Sequence, residues 1–438
     1  MVIMVILVAL ASMLAGIPFG YSLLLGTVLA TAVFEPSSLS NLPLLAMSDI
    51  NDPLIIAIPM LIIAGEMLSA VGAIEPIVDA WQRLFGRVRG SAGLCCVGTS
   101  LFFAGSTGSS AAEAAAVASA FQEPMESRGY GRSYVASLVV ASTAIGILLP
   151  PSIAMILYAQ VINYSVTQLW IAALFPALLA AVLIALVSLV RARRQQDRAV
   201  AAPAAVPLSA PVVETAEPVK TVPPGQRVRK LIATVGGILI PGLVVGGIYS
   251  GILTLSEVAA ALVIVVILYG LFITQVGGRR LFAAARVGAQ RAGAVFLIVI
   301  AARLFSNVLV EQQTIISVLN TVNGLHLSKF LTLLLANIAM LAAGTLMDGL
   351  SLIIIGAPIL YALLSPLGIS PVHLAIIMAI NLEIGVMHPP LGGNLFAVSS
   401  VSGIRVGKIA VDVLPYLGVL LFMLVLVTYV PVPGFAWN

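Results

Sequence analysis

The sequence predicts an all-α polytopic membrane protein in which two inverted repeats each carry a re-entrant hairpin and a broken helix. The first observation is composition, since 61% of the 438 residues are hydrophobic and only 9% are charged. Soluble proteins carry roughly 25% charged residues. The second is length, since the apolar runs approach the ~20 residues that cross a hydrocarbon core. The third is a pair of interrupted apolar segments that recurs at one fixed spacing.

These interruptions consist of small, polar and helix-breaking residues. The first is Ala104–Ser110, followed by the pair Pro150-Pro151; the second is Gly344–Gly349, followed by Pro389-Pro390. Gly105 lies 45 positions before Pro150, Gly344 lies 45 positions before Pro389, and one shift of 239 relates the two sets. A bilayer tolerates unwound backbone only where protein buries it or where it lines a cavity. Matched interruptions in two halves of a chain point to the binding site of a secondary transporter.

The apolar runs divide the chain into two units and a linker. The first unit, 1–192, contains scaffold helices, a hairpin over 91–122 and a broken helix over 134–161. The second unit, 229–438, contains a hairpin over 329–366 and a broken helix over 372–400. Residues 193–228 are rich in alanine, proline and valine without a hydrophobic period, which predicts a flexible cytoplasmic linker. The amino terminus lacks a positive segment and a cleavage site, so we expect a retained span there.

Basic residues favour one orientation of this chain. Short cytoplasmic loops carry an excess of lysine and arginine. One threading leaves every lysine and arginine except Arg303 and Lys329 on the cytoplasmic side. In that threading the first hairpin enters from the cytoplasm and the second from the opposite side, as an inverted repeat requires.

The interruptions offer oxygen ligands for a cation that leaves water, because unwound carbonyls and short hydroxyl side chains can replace its hydration shell. The prolines add free carbonyls by removing backbone donors. We expect two cation sites. The first site comprises Ser106, Thr107, Ser109, Ser110, Gly146 and Pro150. The second site comprises Gly344, Met347, Asp348, His388, Pro390 and Asn394.

Three ionisable residues are candidates for substrate contact. Glu383 lies within a broken segment, where an intramembrane charge marks function by default. Glu113 stands one helical turn beyond the first hairpin tip and fits either site support or packing. Arg303 could hold a substrate carboxylate, pair with Glu311, or extend to the interface. Small residues can also serve close helix packing alone, and His388 taken alone fits a satisfied polar residue better than a proton relay.

Several function classes find no support in the sequence. Basic runs are not interleaved with aromatic residues, which disfavours nucleic-acid binding. The adjacent Cys95 and Cys96 suit neither a disulfide framework nor a transition-metal site. No G-x-x-x-x-G-K-[ST] phosphate loop indicates a primary pump. An intramembrane hydrolase needs a base beside its nucleophile, and His326 and His373 lie away from the interruptions themselves, so we expect no enzyme and no cofactor.

At these residues the chain resembles a known family, the large membrane subunit of tripartite ATP-independent periplasmic (TRAP) transporters, or DctM-like large permeases. The resemblance covers nearly the whole chain outside the linker. The stretches that carry it are Phe103–Glu113, Leu149–Ile153, Gly251–Ala260, Met347-Asp348 and Asn381–Phe396.

The resemblance implies a multi-pass protein of the bacterial inner membrane. It implies a sodium-coupled importer of small organic acids, with no cofactor beyond sodium as coupling ion. The implied fold is of the elevator type, similar to the ion-transporter superfamily, in which a transport domain slides against a scaffold. The implied partners are a small membrane subunit on a separate chain and a periplasmic substrate-binding protein.

The chain departs from the family pattern at three positions. The family usually has Asp at Glu113, Thr at His388 and Ser at Thr107. The change at His388 leaves the number of coupled ions open. The alternative function is a stand-alone sodium–dicarboxylate symporter of related hairpin architecture, although neither turn carries the Ser-Asn-Thr tip of those proteins.

Overall fold

The computed structural model describes residues 1–48, 53–73, 77–78, 80–81, 84, 91–103, 110–201, 236, 239–240, 242–244, 246–344, 349–388 and 392–430. Over these residues the chain forms helices and no strand. Six helical stretches among them are long and apolar enough to cross a membrane. The prediction of an all-α polytopic membrane protein is therefore confirmed for the described part.

The helices of the first half begin with α1 (Val2–Leu14), α2 (Phe19–Phe34), α3 (Leu42–Ser48) and α4 (Pro53–Ala70). The first hairpin segment contains α5 (Ser91–Phe103) and α6 (Ser110–Glu126). The first broken helix comprises α7 (Arg132–Thr143), a 3₁₀ turn (Gly146–Leu148) and α8 (Ile153–Ile162). The half ends with α9 (Val166–Ala201).

The helices of the second half begin with α10 (Leu255–Leu268), a π-helical turn (Tyr269–Thr274), α11 (Gly278–Glu311) and α12 (Thr314–Gly324). The second hairpin segment contains α13 (Lys329–Gly344) and α14 (Gly349–Leu364). The second broken helix comprises α15 (Pro371–Met387) and α16 (Gly393–Ser402), and α17 (Val406–Tyr429) follows.

The helix starts repeat between the two halves. Helices α5 to α9 begin at residues 91, 110, 132, 153 and 166, and helices α13 to α17 begin at 329, 349, 371, 393 and 406. Each pair is offset by 238 to 240 positions, close to the shift of 239 seen in the sequence. Helices α8 and α16 also end alike, each with a left-handed residue, Asn163 or Gly403. The direction in which each hairpin enters the membrane stays a prediction.

The hairpin helices are short for a transmembrane span. Helix α5 has 13 residues, α6 has 17, and α13 and α14 have 16 each. At 1.5 Å per residue, helices of this size measure about 20–26 Å, whereas a hydrocarbon core is about 30 Å thick. This length supports the re-entrant prediction without testing it.

The two broken helices lie at the centre of the protein. In the stretch Arg132–Ile162, 89% of the most apolar window is buried, against 39% for Val166–Arg193. Fifteen of the 17 residues of α15 are buried, and the other two, Pro371 and Val386, are half-buried. Packing crosses between the halves, since α6 contacts α16 and α14 contacts α8 extensively. Each hairpin therefore packs against the broken helix of the other half.

A second group of helices packs beside this core. Helix α4 contacts α10 and α11, and α2 contacts α1 and α11. A Cβ atom added to Gly288 on α11 would lie 2.7 Å from the Cα atom of Ile63 on α4, so only glycine permits this approach. Arg291 and Glu66 form an ion pair beside it.

Helix α9 extends into the predicted linker. It continues to Ala201, so the first nine residues of the linker, 193–201, are helical. Arginine, glutamine and alanine between 191 and 201 are good helix formers, so the helix extends beyond the apolar run that predicted its end. Residues 202–228 of the predicted linker lie outside the described residues.

Enlarging Gly288 should destabilise the contact between α4 and α11. We expect Gly288→Leu to lower stability by about 1–3 kcal/mol, because the added side chain meets backbone atoms of Ile63 that cannot rotate away. Thermal unfolding of the purified protein in detergent measures the effect. Gly293→Leu on the same helix is the matched control, since a Cβ atom there meets nothing within 4 Å. Equal melting temperatures for the two variants would contradict the close approach.

Candidate functional site

The structure describes half of the predicted cation ligands. Six lie outside the described residues, namely Ser106, Thr107, Ser109, Met347, Asp348 and Pro390. The described ligands of the first site are Ser110, Gly146 and Pro150, and those of the second are Gly344, His388 and Asn394. All six lie at helix ends or in the breaks, as the sequence predicts, and their role in cation binding stays a prediction.

A hydrogen bond joins the two predicted sites. The side-chain amide of Asn394 donates to the hydroxyl oxygen of Ser110 at 2.7 Å. Asn394 is fully buried at the first turn of α16, and Ser110 is the first described residue of α6. The small residues Ala111 and Gly393 stand beside this bond, where a Cβ atom on Gly393 would lie 3.8 Å from that of Ala111. The start of the first hairpin's second arm is thus fixed to the second broken helix.

Glu383 ties the first break to the second broken helix. Its Oε1 atom accepts a hydrogen bond of 3.2 Å from the backbone N–H of Ile147. Ile147 lies in the short 3₁₀ turn where the first broken helix is interrupted, and Glu383 is 1% exposed on α15. An unpaired N–H inside a membrane costs several kcal/mol, so this carboxyl group stabilises the interruption.

Glycines let carbonyl oxygens gather at the second break. A Cβ atom on Gly385 would lie 3.2 Å from the carbonyl oxygen of Gly344, at the end of α13. A Cβ atom on Gly392 would lie 2.9 Å from the carbonyl oxygens of both His388 and Val386. These carbonyls are hard oxygen donors of the kind that coordinate alkali cations at unwound helices. Sequence reasoning had not selected Val386, because its side chain gives no hint of the role of its carbonyl.

His388 contributes to this region with its backbone. Its side chain is exposed, whereas its carbonyl oxygen faces Gly392. Its backbone is extended, with φ −102° and ψ 135°, so α15 ends there. His388 therefore presents its backbone oxygen to the break while the residue itself is exposed.

The three predicted substrate residues occupy different places. Glu113 and Glu383 are 2% and 1% exposed inside the core. Arg303 is half-buried on α11, which contacts α14 of the second hairpin. The side chain of Glu311, the alternative partner of Arg303, accepts a hydrogen bond of 2.9 Å from Asn307. The structure thus brings the two glutamates into the core and places Arg303 on the neighbouring group of helices.

A polar network crosses the second half of the core. The amide of Asn381 on α15 donates to the side-chain oxygen of Asn337 on α13 at 2.8 Å, and Asn337 bonds the hydroxyl of Thr428 on α17 at 3.3 Å. Sequence reasoning missed this network. The available signal was an asparagine inside each of two apolar runs, since polar residues in membrane helices commonly bond across helices.

Comparison with known proteins identifies relatives over the whole chain. The family model described as "Tripartite ATP-independent periplasmic transporter, DctM component" matches residues 5–432. The C4-dicarboxylate TRAP transporter large permease protein DctM of Pseudomonas aeruginosa is 32% identical over 424 residues, which are 95% of this chain and 93% of that protein. The protein of the same name from Rhodobacter capsulatus is 30% identical and covers 96% of this chain, with 95% of its own length matched.

More distant similarities agree with this result. The sialic acid TRAP transporter large permease protein SiaM of Vibrio cholerae is 26% identical, over 96% of this chain and 95% of that protein. Among solved structures, the crystal structure of the Alcanivorax borkumensis YdaH transporter has a similar fold, with a TM-score of 0.61 at 17% identity. That match covers 90% of this chain and 88% of the other.

The bond between Asn394 and Ser110 can be tested by a double-mutant cycle. We expect Asn394→Ala to lower stability by about 1–2 kcal/mol, because a buried hydrogen bond is lost. When Asn394→Ala is combined with Ser110→Ala, the loss of stability should be smaller than the sum of the two single losses by about 0.5–1.5 kcal/mol. Thermal or denaturant unfolding in detergent measures each corner of the cycle.

The control pairs Asn394→Ala with Ser119→Ala on the same helix. Ser119 is exposed and bonds only the carbonyl of Ala115 among the described contacts, so these two effects should add. Full additivity in the Ser110 cycle as well would contradict a direct bond.

Proposed function

The chain belongs to the family of TRAP transporter DctM components and is a large permease subunit, and from this premise we propose that it imports a small organic acid by sodium coupling and alternating access. The observation that carries the proposal is the meeting of the two interrupted segments in one buried core. Cation coupling requires oxygen ligands away from bulk water, and the carbonyls around Gly392 supply them in a break.

The proposed coupling ions bind at the two interruptions. The first sodium ion would use hydroxyl and carbonyl oxygens from residues 106–110 with the break at 146–150. The second would use the turn at 344–348 with the carbonyls beside His388. Sodium is here a transported ion, taken up and released in each cycle, and no resident cofactor is proposed.

The substrate we propose is a small carboxylate, with C4-dicarboxylates as the first class to test. Two relatives named for C4-dicarboxylate are 32% and 30% identical to this chain and a third is 27% identical, whereas two relatives named for sialic acid are 26% and 27% identical. An amino-terminal half-helix end carries partial positive charge, which suits a carboxylate group. Helices α6, α8 and α16 all begin at the interrupted segments and present such ends.

The proposed movement is an elevator in which the core slides against the scaffold. The core would comprise the hairpins and broken helices, and the scaffold would comprise the group around α4, α10 and α11. Contacts within each group are more extensive than contacts between the groups. The contacts between the groups include those of α11 with α14 and of α4 with α8. This division supports a movement of one group against the other.

The proposed partners are a small membrane subunit and a periplasmic substrate-binding protein, in the bacterial inner membrane. We propose the small subunit as a separate chain. The isethionate TRAP transporter permease protein DctMQ of Oleidesulfovibrio alaskensis is longer, and this chain covers 63% of it at 28% identity. Co-purification of the tagged chain with the product of a neighbouring gene tests the separate subunit.

Sodium-driven uptake tests the proposal directly. Proteoliposomes would hold this chain with its small subunit, with the binding protein outside and a panel of succinate, malate, fumarate and sialic acid. We expect uptake of one compound that rises with an inward sodium gradient. Ser109→Ala and Asp348→Ala should each abolish it, because each removes a proposed sodium ligand.

Ser119→Ala is the matched control for these variants and should transport at the wild-type rate. Undiminished sodium-dependent uptake in both Ser109→Ala and Asp348→Ala would contradict the site assignment. Uptake by liposomes that hold this chain alone would instead favour the stand-alone sodium–dicarboxylate symporter.

A further inference from the structure

A cavity of about 340 Å³ lies between the start of α9 and the group of helices around α4 and α10. The first turn of α9 forms one wall, and Leu54 of α4 with the residues that lead into α10 forms the other. Helix α9 packs on helices of the core, whereas α10 packs on α4. Pockets that bind small molecules measure roughly 300–1,000 Å³, so this cavity is large enough for a small ligand. Its walls consist of residues away from the two interruptions.

The start of α9 borders the cavity with backbone N–H groups. Ser165, Val166 and Thr167 line the cavity, and Val166 is the first residue of the helix. The first N–H groups of a helix have no partner inside it and carry partial positive charge, which favours an anion. No acidic residue stands in the first turn of α9. The hydroxyl of Ser165 accepts from the N–H of Gln168 at 3.5 Å, which is a long hydrogen bond.

The start of α10 lies at the same cavity and differs in this respect. Thr254 caps α10, and the carboxylate of Glu257 accepts the N–H and the hydroxyl of Thr254 at 2.7 and 2.8 Å. The chain therefore supplies its own anion to the positive end of α10. The positive end of α9 is the one that remains for an external anion.

Trp170 supplies a second and independent donor. It lines the cavity and is 0% exposed. Its indole Nε1 atom is buried and has no hydrogen-bond acceptor within the described part of the chain. A long side chain in a helix points back toward the amino terminus and covers the preceding turn, which places this indole over Val166 and Thr167. Because a buried indole N–H usually has a partner, this donor marks the cavity as a ligand site.

We propose that this cavity binds the carboxylate group of a small organic acid. The donors are the indole N–H of Trp170 and the N–H groups at the start of α9. Leu253 and Leu255 in the opposite wall provide apolar surface for the carbon chain of the acid.

The cavity lies at the end of α9 opposite to Arg191 and Arg193. The orientation predicted from the sequence places these arginines in the cytoplasm, so the cavity lies toward the side from which an importer takes up its substrate. A use of the cavity as the first stop of an imported acid rests on the proposed function. Binding of the acid does not.

Isothermal titration calorimetry of the purified chain with succinate tests this site. The buffer contains choline chloride and no sodium, so that sodium-dependent binding at the breaks does not contribute. We expect saturable binding to the wild type. In Trp170→Phe the dissociation constant should be at least about tenfold larger, because this change keeps the aromatic ring and removes a donor to a charged acceptor.

The matched control is Trp81→Phe, which makes the same exchange at a half-buried tryptophan outside the cavity and should bind succinate like the wild type. A second variant, Thr167→Val, removes a hydroxyl from the wall and should weaken binding about two- to tenfold. Succinamide, the uncharged analogue, should bind at least about tenfold more weakly than succinate. Melting temperatures identify a variant that fails to fold, and if Trp170→Phe fails, Thr167→Val decides.

A wild type that does not bind succinate would overturn the proposal. Wild-type affinity in Trp170→Phe, or in Thr167→Val when it decides, would overturn it too, as would equal binding of succinate and succinamide. An anionic oxygen group also occurs in lipid headgroups, so glycerol 3-phosphate is titrated in parallel. Tighter binding of glycerol 3-phosphate than of succinate, with the same dependence on Trp170, would assign the site to a lipid phosphate and overturn the carboxylate.

Sodium-driven uptake by the wild-type complex is measured separately. Uptake that is intact while succinate does not bind in choline would remove this site alone. Binding in choline without any sodium-driven uptake would remove the proposed transport function and leave the site in place.

Discussion

The structure depends on one constraint, that backbone unwound inside a membrane must find its hydrogen-bond partners in protein. The first broken helix meets this constraint at Ile147, whose N–H bonds a carboxylate from the other half of the chain. A side-chain bond runs in the reciprocal direction, since the hydroxyl of Ser110 in the first half accepts from the amide of Asn394 in the second broken helix. Each half of the chain therefore supplies a hydrogen-bond partner to an interrupted segment of the other half.

Close packing at glycine gives these interruptions their chemistry. Gly344 and Gly385 lie where the end of α13 meets α15, and a Cβ atom on Gly385 would lie 3.2 Å from the carbonyl oxygen of Gly344. Gly392 leaves open a space toward which two carbonyl oxygens point. A larger residue would fill that space with carbon. The same small residues that pack the helices thus leave oxygen accessible, which is why the packing and binding interpretations of the sequence need not exclude each other.

Much of the fold could be predicted from the sequence because its signals are local. Proline pairs and glycine clusters predicted where helices stop, and the breaks at 144–152 and after Met387 lie where they were expected. The length of the apolar runs predicted the spans. It could not predict that α9 continues to Ala201, because the polar residues that follow the apolar run also favour a helix.

The contacts between halves could not be predicted, because spacing along the chain says nothing about which residues meet. Glu383 was selected as an ionisable residue in a broken segment, and its bond to Ile147, 236 positions away, is visible only in three dimensions. Ser110 and Asn394 were placed in separate sites, and the structure joins them. The side chain of His388 was selected as a ligand, whereas its carbonyl is the group that faces the break. The roles of residues 106–109 and 347–348 stay predictions from the sequence.

The central claim is that carbonyl oxygens gathered at the breaks hold sodium. Its most direct test is the melting temperature of the purified chain as sodium chloride replaces choline chloride at constant ionic strength. A ligand that binds only the folded state stabilises it by RT ln(1 + [L]/Kd). We predict a saturable rise with sodium in the wild type and in Gly407→Ala, where a Cβ atom meets nothing within 4 Å.

In Gly392→Ala the rise should be lost, because the added methyl group occupies the space between the carbonyls of Val386 and His388. A wild-type protein whose melting temperature is the same in sodium and in choline would contradict the account, and so would a sodium response of unchanged size in Gly392→Ala.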